Sequence, residues 1–207
     1  MASTSAAGPS NNKPFQFPPH YAFPPFFTLQ PTLSTRTSQL HSWSQLIQAY
    51  CRHHHLFSLT LIDALATPLF HNAPLRRQLS ARDARAIVDW MSSAEGDSRA
   101  EWIGAAPKKA AATAAAAADG DEDTRGRFWV FWRKPEEWAG VLEAWVDATG
   151  QRGSVLTLYE LAESDATANQ EFHGIDAELL QRSLMVLVKR GKAQMFGGEG
   201  EMGVKFF

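Results

Sequence analysis

The chain has 207 residues, 44% of them hydrophobic and 20% charged, with a net charge of −2. That composition supports real hydrophobic cores and argues against nucleic acid or an anionic membrane as an electrostatic partner. A single cysteine, Cys51, rules out an internal disulfide and fits a reducing compartment.

The first residues, MASTSAAGPSNNK, are small and polar and read as a disordered tail over 1–13. No apolar segment follows a basic start, so no secretory signal is expected there. No run of about 18 apolar residues occurs, so no membrane-spanning helix is expected. The expected location is the cytoplasm, with or without the nucleus.

An arm over 14–34 follows. Its run PFQFPPHYAFPPFFTLQP holds six prolines and six aromatics, Phe15, Phe17, Tyr21, Phe23, Phe26 and Phe27. Proline blocks helix and central strand, so the arm is expected to be extended, near polyproline II. An extended segment cannot bury that many rings on itself and needs a surface. That surface is either another protein or the chain's own first domain. Pro18, Pro19 and Tyr21 also match PPxY, the short motif that WW domains bind.

The helical stripe of the first domain, 35–134, begins after Thr35. Leu40, Trp43, Leu46, Ile47, Tyr50 and Cys51 share a face, and the helix should end near His53–His55. A short helix is expected over about 60–66. Pro68 and Pro74 mark loops, and Ser80 to Asp83 form a capping pattern before a helix carrying Ala84, Ile87, Val88 and Met91. Residues 101–103 and 128–132 read as strands. Between them, about 104–126, an alanine-rich then acidic stretch is expected to be a largely disordered insertion.

The second domain, 135–207, repeats the order. Pro135, Glu136 and Glu137 suit a helix start, and Trp138, Val141, Leu142, Trp145 and Val146 form its stripe. Thr157 and Glu160 make a capping box for a short helix. Asp176 should cap the next one, with Leu180, Leu184, Leu187 and Val188 on its face and Gly191 at its end. Runs at 193–196 and 204–207 flank a glycine-rich turn, as in a β-hairpin. The expected fold class is mainly α with small β-hairpins: two tandem winged-helix domains behind an extended arm.

No catalytic, cofactor or metal site emerges. The His53–His55 run lacks a spaced second ligand pair and reads as a solvated helix end. Cys51 lies on the apolar stripe and reads as a small buried hydrophobe. The acidic residues of the insertion lack calcium-loop spacing. The third helices carry Arg82 and Arg85 beside Asp83 and Asp89, and Arg182, Lys189 and Arg190 beside Asp176 and Glu178. Neither makes the basic stripe that phosphate binding requires, so a non-catalytic adaptor is expected and no direct contact with nucleic acid. Two other readings stay open: a winged-helix transcriptional regulator, and a WW-domain client recruited through Tyr21.

Phe23 to Pro31, Thr35-Arg36, Gln39-Leu40 with Trp43, Thr67 to Phe70 with Asn72, Trp132 to Trp138, Thr157 to Leu161, Glu171 to Gly174 and Gly203 to Phe207 occur in one order. This series resembles the vacuolar protein-sorting-associated protein 25 family, the small subunit of the endosomal ESCRT-II complex. The resemblance implies two winged-helix domains and a Y-shaped complex in which two copies dock on two larger winged-helix subunits. It places the docking contact on Pro18, Pro19, Tyr21, Phe23, Pro24, Pro25, Phe26 and Phe27. Replacing Phe26 and Phe27 by alanine is then expected to abolish assembly with the fold intact. The second domain is implied to recruit the initiating ESCRT-III subunit, for sorting ubiquitinated cargo into multivesicular bodies. Recruitment to endosomes would be peripheral, with membrane association indirect.

Overall fold

A computed structural model describes residues 13–104, 126–197 and 202–207. The expected tail, apart from Lys13, lies outside these residues, as does the body of the expected insertion. The described residues form two compact units, Lys13–Trp132 and Arg133–Phe207.

In the first unit, helix α1 spans Leu33–His53 and starts earlier than its apolar stripe. Its first turn is polar apart from Leu33, which is 77% exposed, so hydrophobic periodicity does not reveal it. The turn is closed by Arg36 N–H to Thr32 O at 2.8 Å, and the hydroxyls of Thr37 and Ser38 bond back to the carbonyls of Leu33 and Ser34. Farther along, Leu40, Trp43, Leu46, Ile47 and Cys51 are buried, as their spacing requires. Tyr50, expected on the same stripe, is half-buried at its edge.

A three-residue strand, β1 (Ser58–Thr60), runs directly into α2 (Leu61–Ala66). A small hairpin of β2 (His71–Asn72) and β3 (Arg77–Gln78) occupies the expected loop. Then come α3 (Ala81–Ser92), β4 (Ala100–Trp102) and β5 (Arg127–Val130). The N-terminus of α3 is capped as its sequence predicts, with Asp83 N–H on Ser80 Oγ at 3.0 Å. The antiparallel sheet has the order β1-β5-β4, with Leu59 opposite Phe128 and Glu101 opposite Trp129.

The second unit repeats this plan with α4 (Pro135–Thr149), β6 (Val155–Thr157), α5 (Leu158–Glu163), α6 (Ala177–Lys189), β7 (Ala193–Phe196) and β8 (Gly203–Phe206). Its sheet order, β6-β8-β7, matches that of the first unit strand for strand. A short 3₁₀ turn, Asp165–Thr167, lies between α5 and α6. The strands β1 and β6 are too short to show a period of two. The shared Leu-Thr-Leu at 59–61 and 156–158 marks the strand-to-helix junction in both units. Helix, strand, helix, helix and hairpin, with the first strand paired to the last, is the winged-helix arrangement. Each unit has its own core: Trp43, Phe70, Ile87 and Phe128 in the first, and Trp138, Leu142, Phe172 and Leu184 in the second, all fully buried.

Candidate protein-docking site

The proline–aromatic arm is not extended throughout. Two 3₁₀ turns, Pro19–Ala22 and Pro24–Phe27, interrupt it. Proline at the first position of each turn presets φ and removes an N–H that would have no partner there. Tyr21 N–H bonds Pro18 O at 2.9 Å and Phe26 N–H bonds Phe23 O at 2.9 Å. The expectation of polyproline II is therefore corrected. These prolines start tight turns, which bury Tyr21, Phe26 and Phe27 and leave Phe23 exposed.

The buried rings lie on the first unit itself. Phe26 stacks on Trp43 with centroids 4.3 Å apart and planes 11° off parallel, and Phe27 meets the same indole edge-on at 5.7 Å. Tyr21 stacks on Phe17 at 4.0 Å and packs edge-on to Phe27 at 5.3 Å. Tyr21, Phe26 and Phe27 retain 7%, 6% and 3% of their exposure. The Tyr21 hydroxyl donates to Pro68 O. Burial, and then the neighbouring Tyr50, push its pKa up to about 12. Farther out, Phe15 rests edge-on against Tyr50 at 5.2 Å and beside His53 at 5.4 Å. The histidine run thus forms part of the arm's seat. His54 is held below the ordinary imidazole value by partial burial and by the charge of His53.

The arm's main chain is held as well. Gln39 Nε2 donates to Phe26 O at 2.8 Å and to Thr28 O at 3.0 Å, and Trp43 Nε1 donates to Phe26 O at 3.1 Å. Asn72 Nδ2 donates to Tyr21 O at 3.0 Å. Gln39 and Asn72 are themselves buried. Sequence reading missed both as site residues. The available signal was an amide beside Leu40 on an otherwise apolar stripe, and another just after the buried Leu69-Phe70 pair.

The eight arm residues named from the sequence therefore divide. Tyr21, Phe26 and Phe27 are core. Pro18 is half-buried. Pro19, Phe23, Pro24 and Pro25 face solvent, with Phe23 59% exposed. The expectation that alanine at Phe26 and Phe27 would spare the fold is corrected, since both rings complete the first unit's interior. A WW groove would need Tyr21 free, and here that phenol is buried and bonded.

The third helices remain mixed in charge. Arg85 lies 4.9 Å over the Trp102 ring, Trp102 Nε1 donates to Asp89 Oδ1 at 2.7 Å, and Arg182 pairs with Glu178 at 2.7 Å. Cys51 is fully buried, and burial pushes its thiol far up. Among the described residues no cluster of three His, Cys, Asp or Glu could hold a metal, and no helix is long and apolar enough to cross a membrane.

Tandem winged-helix units behind a folded-back aromatic arm define the class. The family model described as ESCRT-II complex subunit matches residues 20–176. Vacuolar protein-sorting-associated protein 25 of Xenopus laevis is 37% identical, over 93% of this chain and 99% of its own length. The Homo sapiens protein of that name is 35% identical, over 93% and 98%, and that of Dictyostelium discoideum 36%, over 95% and 98%. Two solved structures are similar. One is subunit VPS25 of the endosomal trafficking complex ESCRT-II, with TM-score 0.73, 26% identity and coverage of 92% of this chain and 98% of that one. The other is a chain in the endosomal complex ESCRT-II (VPS22/VPS25/VPS36), with TM-score 0.72, 28% identity and coverage of 91% and 98%. This chain belongs to the ESCRT-II complex subunit family, alongside the vacuolar protein-sorting-associated protein 25 members.

Proposed function

We propose that this protein is a non-catalytic adaptor of an ESCRT-II complex, docking on two larger winged-helix subunits by the exposed ridge of its arm. The observation that carries the reading is Phe23, 59% exposed between two 3₁₀ turns and followed by exposed Pro24 and Pro25. A large exposed ring continuous with exposed prolines, on an arm whose flanking rings are buried, fits a docking anchor. Phe26 and Phe27 serve the same contact indirectly, by fixing the arm to its own domain. A similar solved chain belongs to the endosomal complex ESCRT-II (VPS22/VPS25/VPS36), which supports partners of that kind.

The second unit has a different surface. Val155, Tyr159, Phe196 and Phe207 are exposed there. These exposed apolar side chains support the reading that the second domain recruits the initiating ESCRT-III subunit, so that two copies per complex raise avidity without new contacts. The complex would act peripherally at endosomes, in sorting ubiquitinated cargo into multivesicular bodies. Arg85 and Arg182 already have partners within their own units, which favours protein over nucleic acid as the ligand of both winged helices.

The test is a light-scattering mass of the full chain mixed with the two larger subunits, for wild type and Phe23→Ala. The expected result is a complex with two copies of this chain, which Phe23→Ala weakens with the melting temperature unchanged. Wild type eluting alone would overturn the adaptor reading.

A further inference from the structure

The geometry points to Gln39, Trp43 and Asn72 as a clamp that reads the main-chain carbonyls of the arm and holds Phe23, Pro24 and Pro25 in their docking-ready shape. The inference rests on the reading of that ridge as the docking surface, and it assigns the positioning residues behind it.

The arm is poor in donors. Pro19, Pro24 and Pro25 carry no N–H, so the domain can grip this stretch chiefly through its carbonyl oxygens. The grips fall on both sides of the ridge. On the N-terminal side, Asn72 Nδ2 holds Tyr21 O at 3.0 Å, while Asn72 Oδ1 accepts Leu75 N–H at 3.1 Å. On the C-terminal side, Gln39 Nε2 and Trp43 Nε1 converge on Phe26 O at 2.8 and 3.1 Å, and Gln39 Nε2 also reaches Thr28 O at 3.0 Å. Gln39 Oε1 closes the set by accepting Gln30 N–H at 3.1 Å. Residues 22–25 are thus a bridge pinned at both ends. Within the bridge, Phe23 N–H bonds His20 O at 3.1 Å and Phe23 O accepts Phe26 N–H at 2.9 Å. The backbone of the exposed ring is therefore fixed before any partner arrives.

A buried primary amide is costly unless its donors and acceptor are all used. Gln39 and Asn72 are 7% and 6% exposed, and their side-chain hydrogen bonds go to the arm or to the turn beside it. Pure packing would be served by leucine at either place. Amides instead favour the observed register, which sets Phe26 O, Thr28 O and Tyr21 O within 3.0 Å of Nε2 and Nδ2. Fixing the ridge in advance removes ordering cost from association. The partner that fits is a shallow apolar pocket that asks for no hydrogen bonds, because Pro24 and Pro25 have no donors to give.

Gln39→Glu and Asn72→Asp test this in the full chain. Each keeps the side chain's shape and an accepting oxygen but, when ionised, replaces the donor with a negative charge facing the arm's carbonyls. Affinity for the two larger subunits is read by titration calorimetry. Hydrogen exchange reads the Tyr21, Phe23, Phe26 and Thr28 amides, with the α3 amides as the fold control, and Phe23→Ala runs in parallel. The clamp predicts that both isosteric variants speed exchange in the arm and weaken assembly roughly tenfold, as expected when the binding-competent conformer becomes a minor one. Phe23→Ala is expected to weaken assembly with arm exchange unchanged. If Phe23→Ala leaves assembly unchanged, the ridge reading itself fails. If Phe23→Ala weakens assembly but the isosteric variants bind like wild type, with or without faster arm exchange, the clamp is overturned. Should Gln39→Glu also disturb the α3 amides, Asn72→Asp decides alone.

Discussion

The two winged-helix units solve one packing problem in two ways. In each, a tryptophan from the first helix meets a phenylalanine from the connection before the third helix, Trp43 with Phe70 and Trp145 with Phe172, both at 5.6 Å. In the second unit the pair is enough, and Trp145 keeps 8% of its exposure. In the first unit Phe26 covers the indole and takes Trp43 to zero. The arm lies outside the winged-helix repeat, yet it finishes the core of the first copy. A segment that looks like a free peptide motif in sequence is thus half interior and half docking surface.

The strongest way to break that comparison is to remove the covering ring. Phe26→Ala should destabilise the first unit by about 3–5 kcal/mol, the usual cost of truncating a buried phenylalanine. Phe172→Ala should cost the second unit about the same, since both remove a buried ring from a tryptophan. Urea unfolding combined with hydrogen exchange at α1 and α4 measures the pair. A loss below about 1 kcal/mol for Phe26→Ala, well under the buried-ring range, would mean that the arm merely rests on the domain.

The turns after the third helices sharpen the contrast. The second unit leaves α6 through Gly191, at φ 69° with open space where a Cβ would stand. Alanine there meets only left-handed strain, about 1–2 kcal/mol. The first unit uses a longer turn in which Asp97 and Ser98 take positive φ. There Gly96 is pressed on α3, and a Cβ would lie 2.1 Å from the Trp90 carbonyl oxygen and 2.6 Å from Met91 Cα. Both contacts are backbone, so Gly96→Ala must move the turn or the helix and should cost more, about 1–3 kcal/mol, as a thermal-melt comparison of the two variants would show.

Most of the helical frame was legible because it is amphipathic or capped. Thr157 with Glu160, Asp176 and Gly191 each do in the structure what their residue types predict. The order of elements also showed through, since the Leu-Thr-Leu junction recurs. Three features were not legible. The first turn of α1 is polar apart from the exposed Leu33 and is held by hydroxyls, so no period marks it. The strands β1 and β6 are three residues each, too short to alternate visibly. The shape of the arm depends on Gln39, Trp43 and Asn72, which lie well beyond it in sequence. No local rule could choose between an arm on a partner and an arm on its own domain. The eight motif residues could not be sorted into buried and exposed until the carbonyl contacts were known.

Ionisation offers a smaller lever on the arm. Tyr21 has its pKa raised from the ordinary 10.0 to about 12. A raised value means that folding favours the neutral phenol. That contribution is fully present below pH 10 and fades as pH climbs through about 12. A phenolate also cannot donate to Pro68 O. Arm protection, taken as exchange relative to the intrinsic base-catalysed rate at each pH, should therefore fall over that window in the wild type. Tyr21→Phe keeps the ring and should remove the pH dependence while starting from a less protected arm.

The smallest expected effect compares two threonines in the same place. Thr157 precedes α5, and its Oγ1 accepts Glu160 N–H at 3.0 Å while Glu160 Oε2 accepts Thr157 N–H at 2.7 Å. The Thr157 N–H, and then the Thr157 hydroxyl donating to Oε2, hold the Glu160 carboxylate below its ordinary pKa. Thr60 precedes α2 but makes no side-chain cap bond. Three residues on stands Asp63, one methylene shorter than Glu160. The first helical amides are satisfied alike in both units, Leu61 N–H by Gly126 O at 2.7 Å and Leu158 N–H by Met202 O at 3.0 Å. The side-chain cap is therefore the main local difference at the two helix starts. Thr157→Ala should cost ~1 kcal/mol, and Thr60→Ala should stay within about 0.5 kcal/mol of wild type. Equal losses in urea unfolding would show that both threonines act through packing of the strand-to-helix junction and not through the cap.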